Sequence, residues 1–318
     1  MMLDPQCRAL LDKAAAANLP GPEQSSAEEA REIYKRSRLP LQPPKPEMGA
    51  VHDILIDGSR GPLRLREFRP KGLHERRDLP ALVYFHGGGW LIGDIDTHDT
   101  LCRQLSDGSG AAVYSVNYAK APEHQFPAAV EDALLATRYV VSSHAELGID
   151  PARVGTGGDS AGGNLATVVA QAMRGALSHP LALQLLIYPV TDLRLSTPSY
   201  QTYAQGYGLT ASAMRHFRDT YLRDEADIAD TRASPLLTAD LTGMPPALVL
   251  TAGFDPLRDE GAAYADALSA AGNPAQYICF ERQIHGFIVM GGAVDEANTA
   301  VRLCADYLRS RFSLISGS

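Results

Sequence analysis

The sequence has few cysteines, no long apolar run and no excess of positive charge. The net charge of −8 argues against a nucleic-acid partner. No uncharged apolar segment approaches the roughly 20 residues of a membrane span, and charges interrupt the N-terminal segment where a secretory signal needs an apolar core. The cysteines lie far apart without a C-x-x-C pair, which favours reduced thiols over disulfides or a metal site, at Cys7, Cys102, Cys279 and Cys304. We therefore expect a soluble, cytoplasmic protein.

Short apolar runs alternate with helical periodicity over most of the 318 residues. The runs lie at 81–85, 111–116, 153–157, 181–188, 247–252 and 275–280. The helical patterns lie at 97–107, 127–146, 161–175, 258–271 and 294–311. Continuous apolar strands that alternate with helices predict an α/β fold with a mostly parallel sheet and helices on both faces.

Two segments fall outside this alternation. Residues 1–45 contain two helical patterns, and residues 191–245 contain several tyrosines but no strand pattern. An insertion after a strand's carboxyl end lies above that edge of the sheet, where α/β proteins bind ligands. We therefore predict that 46–190 and 246–318 form the main domain, that 191–245 form a cap, and that 1–45 contribute to this cap.

A serine lies at a glycine-rich turn between a predicted strand and a predicted helix. Gly158-Asp159-Ser160-Ala161-Gly162 matches G-x-S-x-G, the turn that exposes a nucleophilic serine at the end of a strand. The same stretch fails as a dinucleotide-binding or phosphate-binding motif because each motif lacks a required residue here. Ser160 is therefore the candidate nucleophile.

A serine nucleophile needs a base, and the base needs an orienting acid. In this type of fold the acid and the histidine follow the serine in the chain, each after a strand. Asp255 and His285 follow the last two predicted strands, whereas Asp192 and Asp259 are weaker candidates for the acid. The order and strand context therefore predict a triad of Ser160, His285 and Asp255.

A second glycine run, His86-Gly87-Gly88-Gly89, follows the strand at 81–85. Acyl transfer builds negative charge on the carbonyl oxygen, and glycine lets a substrate approach backbone N–H donors closely. We predict that the N–H groups of Gly88, Gly89 and Ala161 form an oxyanion hole, while Gly87 shapes the turn.

Five motifs together resemble the hormone-sensitive-lipase-like family of α/β-hydrolases, in particular its bacterial carboxylesterases of the GDSAG type. They are HGGGW at 86–90, YAKAPEHQFPAAVED at 118–132, GDSAGGN at 158–164, DPLRDEG at 255–261 and HGF at 285–287. The resemblance implies the α/β-hydrolase fold, a helical cap, no cofactor and hydrolysis of short- to medium-chain acyl esters, which are small-molecule substrates. It also makes a homodimer an open possibility.

Four further residues receive narrower predictions. Trp90 and Tyr188 follow strand ends, where lining of the substrate pocket and ordinary core packing are equally compatible with the sequence. Within the 118–132 motif, Glu123 and Asp132 are predicted to hold the serine turn by hydrogen bonds.

Two other functions remain open at the level of sequence. An amidase or deacetylase would use the same three side chains, because His285 can also protonate a leaving nitrogen. A non-catalytic ligand-binding receptor on this scaffold is the second alternative, although such proteins typically lose a triad member and this chain has all three. A long-chain lipase is disfavoured because no strongly apolar exposed helix is apparent.

Overall fold

The computed structural model describes residues 2–315, and an eight-stranded sheet is its central element. The strands are β1 (Ala50–Gly58), β2 (Gly61–Arg69), β3 (Leu79–Phe85), β4 (Ala112–Val116), β5 (Ile149–Asp159), β6 (Gln184–Ile187), β7 (Ala247–Phe254) and β8 (Ala275–Ile284). Their order is β1-β2-β4-β3-β5-β6-β7-β8. The β1–β2 and β2–β4 pairs are antiparallel, and every later pair is parallel. The predicted mostly parallel sheet is therefore confirmed.

Helices cover both faces of the sheet. They are α1 (Pro5–Ala17), α2 (Ala27–Arg38), α3 (Asp99–Ser109), α4 (Ala128–Ser142), α5 (His144–Leu147), α6 (Ala161–Met173), α7 (Pro198–Thr202), α8 (Ala211–Tyr221), α9 (Arg258–Ala270) and α10 (Asp295–Ile315). Short 3₁₀ turns lie at Pro22–Gln24, Leu39–Leu41, Glu225–Ala229, Pro235–Leu237 and Phe287–Val289. Within the described residues, no helix has both the length and the apolar character that a membrane span requires.

Strand alternation divides the interior into two apolar cores. Along β3, Val83 and Phe85 belong to the core that contains side chains of α4, α6 and α9, whereas Leu82 and Tyr84 belong to the core that contains side chains of α3 and α10. Successive side chains of a strand point to opposite faces, so a strand covered on both sides must be apolar throughout. This is why β3 to β7 appear in the sequence as short continuous apolar runs.

The N-terminal helix α2 is fixed at its start and along its length. A capping box joins Ser26 and Glu29, with reciprocal backbone hydrogen bonds of 2.9 and 3.3 Å. Arg31 then donates to the Leu91 carbonyl oxygen at 2.9 Å and pairs with Glu123 at 2.6 Å. These contacts hold α2 beside the glycine run that follows β3.

Glu123 and Asp132 do not contact the serine turn. Glu123 binds Arg31 of α2, which holds the pKa of this carboxyl down at about 2. Asp132 binds Arg60 and accepts a hydrogen bond of 2.8 Å from the Ala119 N–H. The prediction that these two carboxylates hold the turn is wrong, because their partners come from chain segments whose approach the sequence pattern does not show.

Candidate active site

The serine turn combines an unusual backbone conformation at Ser160 with closely packed glycines on either side. Ser160 follows β5 directly and has φ 56° and ψ −118°, a sparsely populated conformation for a residue with a side chain. A Cβ added at Gly158 would overlap the Gly162 carbonyl oxygen, and one added at Gly162 would overlap that of Phe85. The two glycines therefore allow strand, turn and helix to approach closely, and the turn places Ser160 at the carboxyl edge of the sheet.

The three predicted triad side chains meet at this edge. Nε2 of His285 lies 3.0 Å from Oγ of Ser160, and Nδ1 of His285 lies 2.7 Å from Oδ2 of Asp255. The Asp255 side chain is fully buried, and the His285 side chain is 12% exposed. The other two acids considered for this role bind elsewhere: Asp192 binds Arg194, and Asp259 accepts from the Ser199 N–H. The arrangement can pass a proton from the hydroxyl to the imidazole.

The second glycine run presents unused backbone donors beside the serine. Gly88 and Gly89 have φ values of 126° and 57°, and a Cβ on Gly89 would overlap the ring of Phe217. No hydrogen bond within the described residues uses the N–H of Gly88, Gly89 or Ala161. Gly88 and Gly89 line the same cavity as Ser160, while Ala161 is buried as the first residue of α6. These N–H groups remain free to bind an oxygen.

A cavity of about 200 Å³ lies in front of Ser160. Its walls come from the edge of the sheet, from α2 with the preceding prolines, and from residues 208–217 of the insertion. The residues around it are Pro20, Pro22, Ala30, Ile33, Tyr34, Ser37, Arg38, Gly88, Gly89, Ile92, Asp159, Ser160, Gly208, Leu209, Ala213, Met214, Phe217, His285 and Gly286. The walls are mostly apolar, with a few convergent polar groups, as is typical of small-molecule sites.

Comparison with known proteins assigns the chain to a family. A family model described as alpha/beta hydrolase fold matches residues 82–289, which is more than half of the chain. The chain belongs to the hormone-sensitive-lipase-like α/β-hydrolases. The resemblance predicted from the five motifs is therefore confirmed.

Individual relatives cover nearly the whole of this α/β-hydrolase. Esterase LipI of Mycobacterium tuberculosis is 41% identical over 264 residues, which is 82% of each chain. Ethyl acetate hydrolase of Pseudomonas putida is 37% identical over 318 residues, or 97% of this chain and 99% of that protein. Among solved structures, the chain resembles an ester-hydrolase from the metagenome of Lake Arreo, which was solved in complex with a derivative of bipyridine phosphonate. The TM-score is 0.94 and the identity is 40%, and the match covers 98% of this chain and 100% of that chain.

Asp159, inside the serine turn, binds the glycine run of this α/β-hydrolase. Its Oδ1 accepts hydrogen bonds from the Gly87 N–H at 2.9 Å and from the Tyr84 hydroxyl at 2.8 Å. Its carboxylate also lies 3.3 Å from Nε2 of His98. The sequence motifs did not predict this role of Asp159; the signal for it is an acidic residue at the end of an otherwise apolar strand.

Asp159 and His98 form a buried hydrogen-bonded pair. Burial alone would lower the pKa of His98 and raise that of Asp159, but their mutual attraction and hydrogen bond reverse both directions. The neighbouring His86 lies within 4.0 Å of no carboxylate oxygen among the described residues, and burial lowers its pKa to about 3, so its imidazole is neutral near pH 7. The Asp159 carboxylate therefore favours the protonated form of His98 beneath the glycine run, whereas His86 there is neutral.

Trp90 and Tyr188 lie in the packed interior of the α/β-hydrolase and do not line the cavity. Both are fully buried. The Trp90 ring stacks on Tyr221 with centroids 4.2 Å apart, and the Tyr188 ring lies 4.5 Å from that of His285. Of the two possibilities left open by the sequence, the structure favours core packing for both, with Tyr188 supporting the triad imidazole from behind.

The loop that carries Asp255 is bound to the start of the insertion. Glu260 is fully buried and accepts hydrogen bonds from the N–H groups of Thr191 at 2.7 Å and Asp192 at 3.3 Å. Burial raises the pKa of Glu260 well above its usual range. The Ser199 hydroxyl donates to the Pro256 carbonyl oxygen at 2.5 Å. These contacts join the acid loop to the segment that continues over the cavity.

Proposed function

We propose that this chain is a serine carboxylesterase and that Ser160, His285 and Asp255 carry out its reaction. The observation that carries the proposal is the continuous relay from the Ser160 hydroxyl through the His285 imidazole to the buried Asp255 carboxylate, at 3.0 and 2.7 Å. Esterases and ester hydrolases that resemble the chain over most of its length support the same reaction class.

The geometry supports a two-step acyl transfer. Nε2 of His285 takes the proton of Ser160 as the serine oxygen attacks the ester carbonyl carbon, and Asp255 stabilises the resulting imidazolium. The imidazolium then protonates the leaving alcohol. In the second step His285 activates water, which releases the acid from the acyl-enzyme.

The free N–H groups of Gly88, Gly89 and Ala161 are the proposed oxyanion hole. Each such donor contributes about 10²–10³-fold in rate when it is aimed at the developing negative charge. A side chain at either glycine would displace its neighbours. A Cβ at Gly88 would overlap the Ile92 carbonyl oxygen, and one at Gly89 would overlap the Phe217 ring. This crowding explains why two of the donors come from glycines.

We further propose that residues 1–45 and 191–245 act together as the cap over the main domain of 46–190 and 246–318. Side chains from both segments surround the cavity. Its volume of about 200 Å³ is smaller than the 300–1,000 Å³ usual for drug-sized ligands, which favours short- to medium-chain acyl esters as substrates. The complete Ser160–His285–Asp255 relay disfavours the alternative of a non-catalytic receptor. An experiment must decide between an esterase and an amidase, because both reactions use the same three side chains.

Replacing the proposed nucleophile tests the function. We expect Ser160→Ala to abolish hydrolysis of 4-nitrophenyl acetate and labelling by a fluorophosphonate probe while its circular dichroism stays that of the wild type. Ser142→Ala, at an exposed serine in the last turn of α4, is the matched control and should behave as the wild type. Wild-type turnover by Ser160→Ala would refute the mechanism, and faster turnover of matched amides than of esters would favour the amidase alternative.

A further inference from the structure

The last turn of α2 contains three basic side chains, and one of them reaches the substrate cavity. Lys35, Arg36 and Arg38 all lie in this turn, where cations complement the partial negative charge of a helix C-terminus. That role is sufficient for Lys35 and Arg36, which do not line the cavity. Arg38 does line it.

Arg38 has no acidic partner within the described residues. No carboxylate of residues 2–315 lies within 4.0 Å of its guanidinium nitrogens, whereas Arg31 on the same helix pairs with Glu123. The polar contact of Arg38 is a weak one of 3.7 Å from Nη1 to Sδ of Met290, and its guanidinium carbon lies 5.7 Å from the Tyr34 ring centroid. In a chain with net charge −8, an arginine at the active-site cavity without a carboxylate stands out as an available anion-binding group.

The contact with Met290 places Arg38 on the histidine side of the cavity. A Cβ built on Gly286 would lie 3.7 Å from the Met290 terminal methyl, so Met290 lies between Arg38 and the turn that carries His285. In the proposed reaction the leaving alcohol must receive its proton from Nε2 of His285. The alcohol portion of a bound ester therefore extends toward the His285 side and so toward Arg38.

We propose that Arg38 binds a carboxylate on the alcohol portion of the substrate, so that the enzyme prefers acyl esters of hydroxy acids over neutral esters of the same size. This inference rests on the proposed esterase function and adds a substrate class to it. The planar guanidinium can bind both carboxylate oxygens, and such charge-assisted pairs are about twice as strong as neutral hydrogen bonds. The partly apolar walls around Arg38 strengthen the attraction by limiting the access of water.

The test compares two esters of nearly the same size and shape, one anionic and one neutral. The anionic substrate is 3-acetoxypropanoate and its neutral counterpart is 3-acetoxypropanamide, with acid release followed in a pH-stat. For the wild type we expect kcat/KM to be at least about tenfold higher for the anion, the lower end for a hydrogen bond to a charged group. Arg38→Gln should bring the ratio close to one, and Arg38→Lys should keep part of it. An unchanged ratio in Arg38→Gln would overturn the proposal.

Matched controls separate this proposal from the esterase function itself. Arg36→Gln removes an exposed positive charge from the same helix turn and should keep the wild-type ratio. If the wild type hydrolyses both esters equally well, the role of Arg38 is refuted while the esterase function stands. If it hydrolyses neither ester nor 4-nitrophenyl acetate, the proposed function itself is refuted.

A second substrate pair tests the side on which the anion binds. Monoethyl succinate and ethyl succinamate carry the same difference in charge on the acyl portion. We expect a smaller ratio for this pair than for the hydroxy-acid pair. A preference confined to monoethyl succinate would overturn the placement beside His285. Should Arg38→Gln fail to fold, the wild-type ratio measured from 0.05 to 0.5 M salt provides the remaining test. An attraction between a carboxylate and the partly exposed Arg38 must weaken as the salt concentration rises.

Discussion

Replacing Asp159 by alanine would disconnect the serine turn from the glycine run. Asp159 is 4% exposed and accepts from Gly87, Tyr84 and His98. Alanine leaves two neutral donors without an acceptor and the His98 imidazole without its carboxylate partner. Asp159→Asn is milder, because the amide oxygen can still accept from Gly87 and Tyr84 while the attraction to His98 is lost.

The expected loss of unfolding free energy follows from these partners. A buried donor left without an acceptor costs about 1–3 kcal/mol, and removing one partner of a buried ion pair costs about 3–5 kcal/mol. The costs do not add fully, because His98 can release its proton and water from the adjacent cavity can reach the vacated space. We therefore expect a loss of about 3–5 kcal/mol for Asp159→Ala and about 1–3 kcal/mol for Asp159→Asn.

Activity should fall further than stability alone explains. Gly87 directly precedes two of the three proposed oxyanion donors, Gly88 and Gly89, and without the hydrogen bond to Asp159 these two lose their alignment. We expect kcat for 4-nitrophenyl acetate to fall by about 10²-fold, the effect of one lost donor, at temperatures where the variant remains folded.

Urea unfolding and steady-state kinetics are the assays for Asp159. The exposed Asp57→Ala serves as control and should change the unfolding free energy by no more than about 0.5 kcal/mol. A double-mutant cycle with His98→Asn should give a coupling above about 0.5 kcal/mol. A loss below about 0.5 kcal/mol for Asp159→Ala, with unchanged kcat, would refute the proposed tether.

Three further outcomes can be measured. Asp159 raises the folded-state pKa of His98 above the unfolded value of about 6.5. The pair therefore contributes its full stabilisation of the fold below the unfolded pKa, and this contribution is lost as the pH rises through the folded pKa. Urea unfolding from pH 5.5 to 9 should show this decline in the wild type but not in His98→Asn. Gly162→Ala should lower the unfolding free energy by several kcal/mol, because the added methyl group overlaps backbone atoms of Phe85. Gly272→Ala, at φ 81° with open space around it, should cost only about 1–2 kcal/mol. Equal melting temperatures of the two variants would contradict this prediction. Phe217→Ala should enlarge the cavity and move the optimum of a 4-nitrophenyl ester series, acetate to palmitate, toward longer acyl chains; an unchanged optimum would show that Phe217 does not limit acyl length.

The local elements were predictable from the sequence because their signals are local. The apolar run at 153–157 lies within β5, the helical pattern at 258–271 matches α9 to one residue, and the insertion at 191–245 contains no strand. A buried strand between helices must be apolar on both faces, and this requirement is written in consecutive residues. Ser160 and Asp255 come directly after such strands, and His285 comes directly after the edge strand β8, so the order of the three along the chain made their positions predictable.

Tertiary structure decided which distant groups meet. Asp159 and His98 are 61 positions apart, and Arg38 reaches the cavity from a helix that precedes every strand. Glu123 was expected at the serine turn and instead binds Arg31 of α2. Periodicity shows which face of an element is buried, but not which element covers it. The reaction class was therefore accessible from sequence motifs, whereas the tether beneath the glycine run and the charge at the cavity emerged only from the packed chain.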